Sequence, residues 1–433
     1  MAEKHDVVIV GAGLAGLAAA RQLSIHGADV RVIESADAVG GRVRSDYVNG
    51  FTLDRGFQLY NPAYPEAARV LDHEALDLRP LVRGMDIVRT SRRGRTVVRL
   101  ADPRSPRNWH ASALSRAAGT VRGKTSFAAY AYQVARLQGA QFDERPDEPA
   151  QVALARAGMD AKLIDEVLRP FLTGVFLEPH LMTSRRFMDV VLASFVKGTP
   201  SLPSAGMQAI PEQLHQALPP GSVTLSTRVR SLGDDYVQTT EGRVGATVVI
   251  VAADAPGAAE LLPDLCIQTH GNSVTTWYHA VPQASLERPL AGGRSVLTVD
   301  PQRRGPVINT VPLNYGVPSY APEGYVLVST SALGTDNDEG LVRPHLQYLY
   351  GTDTSAWQLL GSYAIPYALP SMRSPLRVAG ESQDSSHDAP VLLAGDYRAT
   401  ASIQGAMVSG RRAADAALHR LGIRRPDARK VDA

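Results

Sequence analysis

The sequence is poor in the residues on which several classes of protein depend. It contains one cysteine, Cys266, which excludes a disulfide within the chain and a metal centre built from several cysteine ligands. Lysine is scarce, and no lysine lies between Lys197 and Lys430. No apolar stretch is long enough to cross a bilayer. We name no metal ligands, and we expect a cytoplasmic protein for which peripheral membrane contact stays open.

Charge and composition are those of an ordinary globular protein. Lys and Arg together number 45 against 43 Asp and Glu, and this near balance gives no reason to expect a nucleic-acid partner. Hydrophobic residues make up 44% of the chain, which excludes disorder throughout. The chain has 433 residues, more than the roughly 250–300 at which a single core stops growing, so we predict two domains.

The N-terminal region has the pattern of a strand, a helix and a second strand. Residues 6–10 form a short, continuous apolar run, which is typical of a buried parallel strand. Residues 14–26 carry apolar side chains at helical spacing, and Gly27 follows them as a stop signal. Residues 29–34 repeat the strand pattern. Together these segments predict a βαβ unit.

A glycine motif joins the first predicted strand to the helix. Gly11 permits a tight turn, Gly13 lets backbone approach a pyrophosphate, and Gly16 lets the helix pack closely on the strand. The helix begins at Leu14 and Ala15, where its N–H groups and partial positive charge would face the phosphates. Because the motif lies between a strand and a helix, it predicts a dinucleotide site.

Two further features follow the second strand. Glu34 ends that strand at the spacing of a carboxylate that accepts hydrogen bonds from ribose hydroxyls, and Ser35 comes next. Gly40, Gly41 and Arg42 could place bare backbone and a cation beside a diphosphate, although this tripeptide is also a common turn.

Strand and helix patterns alternate through the rest of the chain. Helical spacing runs from about residue 105 to 171, and further helices are predicted at 341–351 and 403–421. Strand patterns cover residues 85–89, 95–100, 223–232, 237–240, 244–252, 273–280, 295–298, 325–331 and 391–394.

The N-terminal motif resembles that of a known flavoprotein superfamily. Residues 7–45 resemble the N-terminus of the superfamily of flavin-containing amine oxidases, phytoene desaturases and protoporphyrinogen oxidases. In that superfamily the motif binds FAD rather than NAD. Later segments resemble other cofactor-contacting parts of its members: residues 50–58, 203–211, 227–229 and 248–256.

The C-terminal region carries the most informative match. Gly395 and Asp396, followed by residues 402–406, resemble the second FAD signature of the superfamily, in which a helix N-terminus points at the flavin. No cysteine follows Cys266, so a C-terminal cysteinyl link is not expected and the resemblance implies noncovalent FAD. The residues expected to bind it are Gly11, Gly13, Leu14, Ala15, Gly16, Glu34, Ser35, Gly41, Arg42, Gly56, Phe57, Gln58, Val229, Gly395, Asp396, Ser402, Ile403, Gln404 and Gly405.

The resemblance also implies a fold. We expect an α/β protein, α+β overall, in which a substrate domain of antiparallel sheet plus helices is inserted into a Rossmann-like FAD-binding domain. The substrate is expected to bind between the two domains. The expected bounds are 1–75, 205–265 and 380–423 for the FAD-binding domain, 76–204 and 266–379 for the substrate domain with its helical part at about 105–200, and 424–433 for a frayed tail.

Two departures from the superfamily pattern bear on the reaction. Its amine oxidases usually carry a lysine in the substrate-domain sheet, where this chain has none. They also place an aromatic residue where this chain has Ser402. We therefore predict an oxidoreductase that dehydrogenates or desaturates a C–C, or C–N, bond of an apolar small molecule by hydride transfer to flavin N5. Oxygen, a quinone or another carrier would accept the electrons.

Several alternatives remain open from the sequence. One is an amine oxidase with a rebuilt site that releases hydrogen peroxide. Another is a non-redox flavoprotein such as an isomerase or a mutase, and a third is a flavin-free binding module of the same fold. We name no catalytic acid or base and no oligomeric state. For Trp277, Tyr278 and His279, core packing is favoured over substrate contact.

Overall fold

The computed structural model describes residues 4–92, 94–101, 119–376 and 391–423, which form strands and helices joined by short loops. The strands are β1 (Lys4–Val10), β2 (Val30–Ile33), β3 (Ser45–Val48), β4 (Phe51–Asp54), β5 (Leu78–Pro80), β6 (Gly84–Ser91), β7 (Gly94–Ala101), β8 (Ser201–Pro203), β9 (Val223–Thr224), β10 (Val229–Leu232), β11 (Tyr236–Thr239), β12 (Arg243–Val251), β13 (Gly271–Pro282), β14 (Leu297–Val299), β15 (Val307–Pro312), β16 (Tyr325–Leu333), β17 (Gln358–Pro370) and β18 (Val391–Leu393). The helices are α1 (Leu14–Ser24), α2 (Pro65–Val70), α3 (Val121–Ala135), α4 (Ala150–Arg156), α5 (Ala161–Leu163), α6 (Arg169–Phe176), α7 (Arg185–Lys197), α8 (Ala209–Gln216), α9 (Ala255–Leu261), α10 (Glu339–Tyr350) and α11 (Ile403–Arg420).

The first sheet contains the predicted βαβ unit. Its strand order is β10-β11-β12-β1-β2-β9, and β18 pairs with β12. β1 runs parallel to both β2 and β12, and its residues Val7, Val8 and Ile9 are fully buried, which accounts for the continuous apolar run. The predicted βαβ unit is confirmed, with α1 ending at Ser24 rather than two residues later.

The second sheet has the order β17-β13-β16-β15-β14-β6-β7. The strands predicted at residues 85–89 and 95–100 are confirmed as β6 and β7, which form a hairpin with Arg89 opposite Thr96. The expected antiparallel sheet is confirmed in the pairs β13–β16, β15–β16 and β14–β15, and one further pair, β14 with β6, runs parallel, with Leu297 opposite Met85. These two strands are distant in sequence, so no hairpin turn fixes their relative direction.

One predicted strand is interrupted in the structure. Residues 223–232 divide into β9 and β10, because Ser226 adopts a left-handed conformation with φ of 53°. The Ser226 and Thr227 amides donate to the carbonyls of Ala36 and Glu34. These two hydrogen bonds hold the loop at the break against the segment that follows β2.

A layer of helices packs beside the second sheet. Helices α3 to α7 share an apolar cluster with strands of that sheet, and the cluster includes Phe176, Phe187 and Ile87. A π-helical turn at Ile164–Leu168 connects α5 to α6. Trp277, Tyr278 and His279 are buried on β13, so the core-packing prediction for these three is confirmed. No helix of the described residues is both long and apolar enough to traverse a membrane.

Strands from separate parts of the chain meet in each sheet. The first sheet takes its strands from residues 4–33, 223–251 and 391–393, and the second from residues 84–101 and 271–370. The domain bounds given above stay a prediction. The expected tail at 424–433, the start of the third FAD-domain piece at 380–390 and most of the helical pattern before residue 119 lie outside the described residues.

Candidate functional site

A cavity of about 1030 Å³ lies between the two sheets. One part, here called the nucleotide end, is lined by the glycine motif, the edges of the first sheet and the start of α11. The other part, here called the apolar chamber, is lined by the second sheet and by residues 169–197. The predicted residues on the cavity wall are Gly11, Gly13, Leu14, Ala15, Glu34, Ser35, Gly41, Arg42, Gly56, Phe57, Gln58, Val229, Gly395, Asp396, Ser402 and Ile403.

The turn before α1 requires its glycines for two different reasons. Gly11 has φ of 106°, a left-handed conformation that glycine adopts without strain. A Cβ on Gly16 would lie 2.0 Å from the carbonyl oxygen of Gly11, so Gly16 permits close packing and is not on the cavity wall. A Cβ on Gly13 would meet nothing within 4 Å. Gly13 therefore leaves open space at the cavity rather than relieving a contact within the protein.

Glu34 is buried beside this turn. One carboxylate oxygen accepts a hydrogen bond of 2.7 Å from the Ala12 amide, and the other accepts one of 2.8 Å from the Ala36 amide. The Ser35 hydroxyl also donates to Glu34, at 3.3 Å. These bonds fix the carboxylate at the wall while a carboxylate oxygen retains further lone pairs for a ligand hydroxyl.

An ion pair joins the two ends of the sequence. Arg42 Nη2 lies 2.7 Å from Asp396 Oδ1, and Arg42 Nη1 donates to the Ala368 carbonyl at 2.9 Å. Burial opposes the charge on the Arg42 guanidinium, but the Asp396 carboxylate outweighs burial and raises the Arg42 pKa above its ordinary value. The arginine thus remains a cation, with the Tyr367 ring 5.6 Å away.

The loop at residues 55–58 passes along the cavity between the sheets. Gly56 has φ of 90°, and a Cβ there would lie 2.8 Å from Ile365 of β17. The Gln58 side chain donates to the Arg42 carbonyl at 2.7 Å and so ties the loop to the Arg42 segment. The Phe57 amide donates to Thr276 Oγ1 of β13 at 3.3 Å.

The start of α11 reaches the wall through Ser402 and Ile403. Ser402 caps the helix, since its hydroxyl accepts from the Gly405 amide at 3.0 Å. Gln404 lies off the wall, and its side-chain oxygen accepts from the Glu66 amide at 2.9 Å. Gly405 also lies off the wall, and a Cβ there would come 1.9 Å from the Thr400 carbonyl oxygen. Their roles in cofactor binding stay predictions.

The nucleotide end includes charged residues that are not among the predicted FAD-binding residues. Arg228 follows the break before β10, and Asp254 and Glu260 come from the segment after β12. Arg228 and Glu260 form an ion pair of 3.1 Å at the mouth of the cavity. The resemblance of residues 248–256 to the superfamily was the available signal for Asp254. The resemblance of residues 227–229 was the same kind of signal for Arg228, and no local pattern marked Glu260.

The apolar chamber differs sharply from the nucleotide end. Among the described residues that line it, those from the second sheet and from residues 169–197 include no charged side chain. Aromatic rings form much of the helical side, where Phe171 and Phe195 pack edge to face with centroids 5.1 Å apart. Tyr64 also lines the cavity, and burial raises its pKa to about 12, so its phenol is neutral at physiological pH.

Comparison with known proteins identifies the family. The family model described as flavin containing amine oxidoreductase matches residues 14–418, nearly the whole chain. The chain belongs to this family. The predicted superfamily resemblance is therefore confirmed, and FAD is the cofactor.

Individual relatives resemble the chain over shorter segments or at lower identity. Putrescine oxidase of Kocuria rosea is 45% identical over 74 residues, which are 17% of this chain and 16% of that enzyme. A putative protoporphyrinogen oxidase from Exiguobacterium sp. 255-15 has a crystal structure that matches 97% of this chain and 100% of its own, with TM-score 0.70 and 17% identity. The crystal structure of reduced UDP-galactopyranose mutase matches 98% of this chain and 97% of its own, with TM-score 0.69 and 15% identity. These structures confirm the predicted fold class, and at such identities they show the fold alone.

The nucleotide end of this flavin-containing oxidoreductase fits FAD. In the described part of the chain no side chain caps the start of α1, whose first-turn amides are available to a phosphate. Gly13 and Gly41 line the same wall without side chains, and Arg42 supplies a cation there. Glu34 would supply a carboxylate for ribose hydroxyls. The anionic and hydroxyl groups of a dinucleotide would thus meet complementary groups.

Proposed function

We propose that this chain is an FAD-dependent oxidoreductase that dehydrogenates or desaturates a C–C, or C–N, bond of an apolar small molecule. The observation that carries the proposal is the absence of charge from the described wall of the apolar chamber. An ammonium ion placed there would lose its hydration without gaining a carboxylate partner, and a buried, unpaired charge is costly.

When bound, FAD would supply at flavin N5 an acceptor for the hydride from the substrate carbon, and the proton lost from the neighbouring atom as the double bond forms would pass to solvent. Phe171, Phe195 and Val175 would orient an apolar substrate and keep water from the reacting bond. Oxygen, a quinone or another carrier would take the two electrons afterwards. The chain's own work is binding, orientation and exclusion of water, and no acid or base is assigned.

The noncovalent state of FAD is part of the same proposal. Cys266 is exposed, and it is absent from the cavity wall. The wall offers the cofactor hydrogen-bonding groups and bare backbone. We therefore expect denaturation to release FAD intact.

Anaerobic flavin reduction tests the reaction class. The FAD-loaded protein is mixed with dihydroanthracene, whose loss of two hydrogens gives anthracene, and separately with putrescine and benzylamine. We expect the hydrocarbon to bleach the visible flavin band with formation of one anthracene per flavin, and the amines to leave it unchanged. FAD-free protein is the control for nonenzymatic oxidation.

Amine oxidation is the second candidate, because putrescine oxidase is 45% identical over the matched segment. Under this alternative the amines would bleach the flavin, and admission of oxygen would release hydrogen peroxide in equal amount. That result would contradict the apolar-substrate proposal.

A further inference from the structure

One polar side chain on the wall of the apolar chamber has a buried atom without a partner. Asn309 belongs to β15, lines the cavity and is 4% exposed. Its Oδ1 atom is buried and accepts no hydrogen bond in the described part of the chain. Because a buried, unpaired amide oxygen lowers stability, an apolar residue would serve the fold better at this position. The amide therefore calls for a functional explanation.

Asn309 ends a row of polar residues that crosses three neighbouring strands. In the sheet register, Thr276 of β13 lies opposite Ser331 of β16, which lies opposite Asn309 of β15. The Thr276 and Ser331 hydroxyls are 3.1 Å apart, and Thr276 Oγ1 also accepts from the Phe57 amide. The two hydroxyls are thus partnered within the protein. The amide oxygen of Asn309, in contrast, has no hydrogen-bond partner among the described residues.

A glycine on the facing helix makes room for this amide. Gly174 of α6 lines the same cavity, and a Cβ on it would lie 2.6 Å from Asn309 Nδ2. Glycine is unfavourable inside a helix, so its presence at this contact fits a need for space beside the amide. A half-turn about the Cβ–Cγ bond exchanges the two ends of an asparagine amide, so either end can be presented to a ligand.

We propose that Asn309 determines substrate specificity by accepting, at Oδ1, a hydrogen bond from a hydroxyl or N–H group of an otherwise apolar substrate. This inference rests on the proposed function and names the polar group that the substrate carries. An analogue without the donor leaves the buried oxygen unpaired, and sites built in this way discriminate strongly against such analogues.

Binding of two matched probes to the FAD-loaded full-length protein tests this role. Indole and indene have nearly the same shape and apolar area, but only indole carries an N–H donor. Calorimetry and the perturbation of the flavin spectrum report binding of each. We expect the wild type to prefer indole by about tenfold or more, and Asn309→Leu to bind the two equally while retaining its affinity for indene.

Two controls separate this role from a structural one. Thr298 on the neighbouring strand β14 also has a buried, unpartnered side-chain oxygen, but it is absent from the cavity wall, so Thr298→Val should keep the preference for indole. The Tm of Asn309→Leu should be unchanged or raised, because the substitution removes an unpaired polar group. A Tm lowered by more than that of Thr298→Val would overturn the proposal, since it would show that the amide stabilises the fold.

The remaining outcomes distinguish failure of this inference from failure of the proposed function. If wild type and Asn309→Leu bind indole and indene equally, the specificity role is refuted while the apolar chamber stands. If neither probe binds the FAD-loaded wild type, the apolar-substrate proposal fails, and the role of Asn309 fails with it.

Discussion

Arg42 and Asp396 are 354 residues apart in sequence, yet Arg42 Nη2 and Asp396 Oδ1 lie 2.7 Å apart on the cavity wall. Asp396 is 5% exposed, and its partner keeps a buried carboxylate from being unpaired. The pair joins the segment after β2 to the segment after β18. Two segments that are predicted to bind FAD, one near each end of the sequence, therefore meet through these two side chains.

Loss of the Arg42 charge should weaken FAD binding. A hydrogen bond to a charged group contributes about 1.5–3 kcal/mol, so Arg42→Gln should raise the Kd for FAD by about tenfold or more. Quenching of FAD fluorescence during titration of the apoprotein measures this Kd. Arg79→Gln is the matched control, because Arg79 pairs with Asp77 at an exposed position. Equal FAD affinity in Arg42→Gln and the wild type would remove Arg42 from the cofactor site.

Two alanine substitutions in the glycine motif should have different effects. Gly16→Ala places a methyl group 2.0 Å from the Gly11 carbonyl oxygen, so it should destabilise the fold by about 1–3 kcal/mol even without FAD. Gly13→Ala meets no protein atom within 4 Å but adds a methyl group to the cavity wall. It should leave the apoprotein Tm nearly unchanged and raise the Kd for FAD. A lowered apoprotein Tm for Gly13→Ala, with an unchanged Tm for Gly16→Ala, would contradict the roles given to these two glycines.

Gln404→Ala should lower stability more than cofactor affinity. Its side-chain oxygen accepts from the Glu66 amide in the first turn of α2, and loss of such a bond costs about 1 kcal/mol. We expect a lower Tm for both apoprotein and holoenzyme, with the Kd for FAD within about twofold of the wild-type value. Ser402→Ala is the comparison variant, because Ser402 caps the same helix and, unlike Gln404, lines the cavity. A large rise in Kd for Gln404→Ala with unchanged Tm would instead support direct cofactor contact.

Asp54 should make stability depend on pH. Its carboxyl group is 2% exposed, and burial raises its pKa to about 6 although Ser45, Tyr320 and the Met207 amide donate to it. The pKa of Asp54 is higher in the folded than in the unfolded protein. Its contribution to the free energy of unfolding is therefore complete below about pH 4 and is lost as the pH rises through about 6. The total loss is about 3 kcal/mol.

Urea denaturation between pH 4 and 7 measures this dependence. Asp54→Asn removes the titrating group, so its midpoint should change less over this interval than the wild-type midpoint. Asp234→Asn at an exposed position is the control and should follow the wild type. Identical pH profiles for Asp54→Asn and the wild type would exclude Asp54 as the source.

Local sequence patterns predicted much of the nucleotide end. The run of apolar residues in β1, the glycine turn and the helix α1 depend on neighbours in sequence, so periodicity and glycine spacing identify them. The break at Ser226 was missed because it is stabilised by contacts with residues 34–36, which no local pattern encodes. The parallel pairing of β14 with β6 likewise depends on tertiary packing.

The residues that line the apolar chamber could not be predicted from the sequence alone. The lack of lysine between Lys197 and Lys430 indicated that the amine-oxidase pattern is incomplete, but it could not show which side chains line the chamber. Asn309 is one polar residue in a strand of apolar and hydroxyl residues, and nothing in that strand indicates that its amide is unpartnered. Such a residue becomes visible only when its partners in space are known.

The visible absorption spectrum of the purified protein, with that of the supernatant after heat denaturation, measures whether the chain holds noncovalent FAD. We predict flavin bands near roughly 370 and 450 nm that pass into the supernatant as intact FAD, because the cavity holds the cofactor through noncovalent contacts. A colourless protein that takes up no added FAD would show that the cavity is not an FAD site.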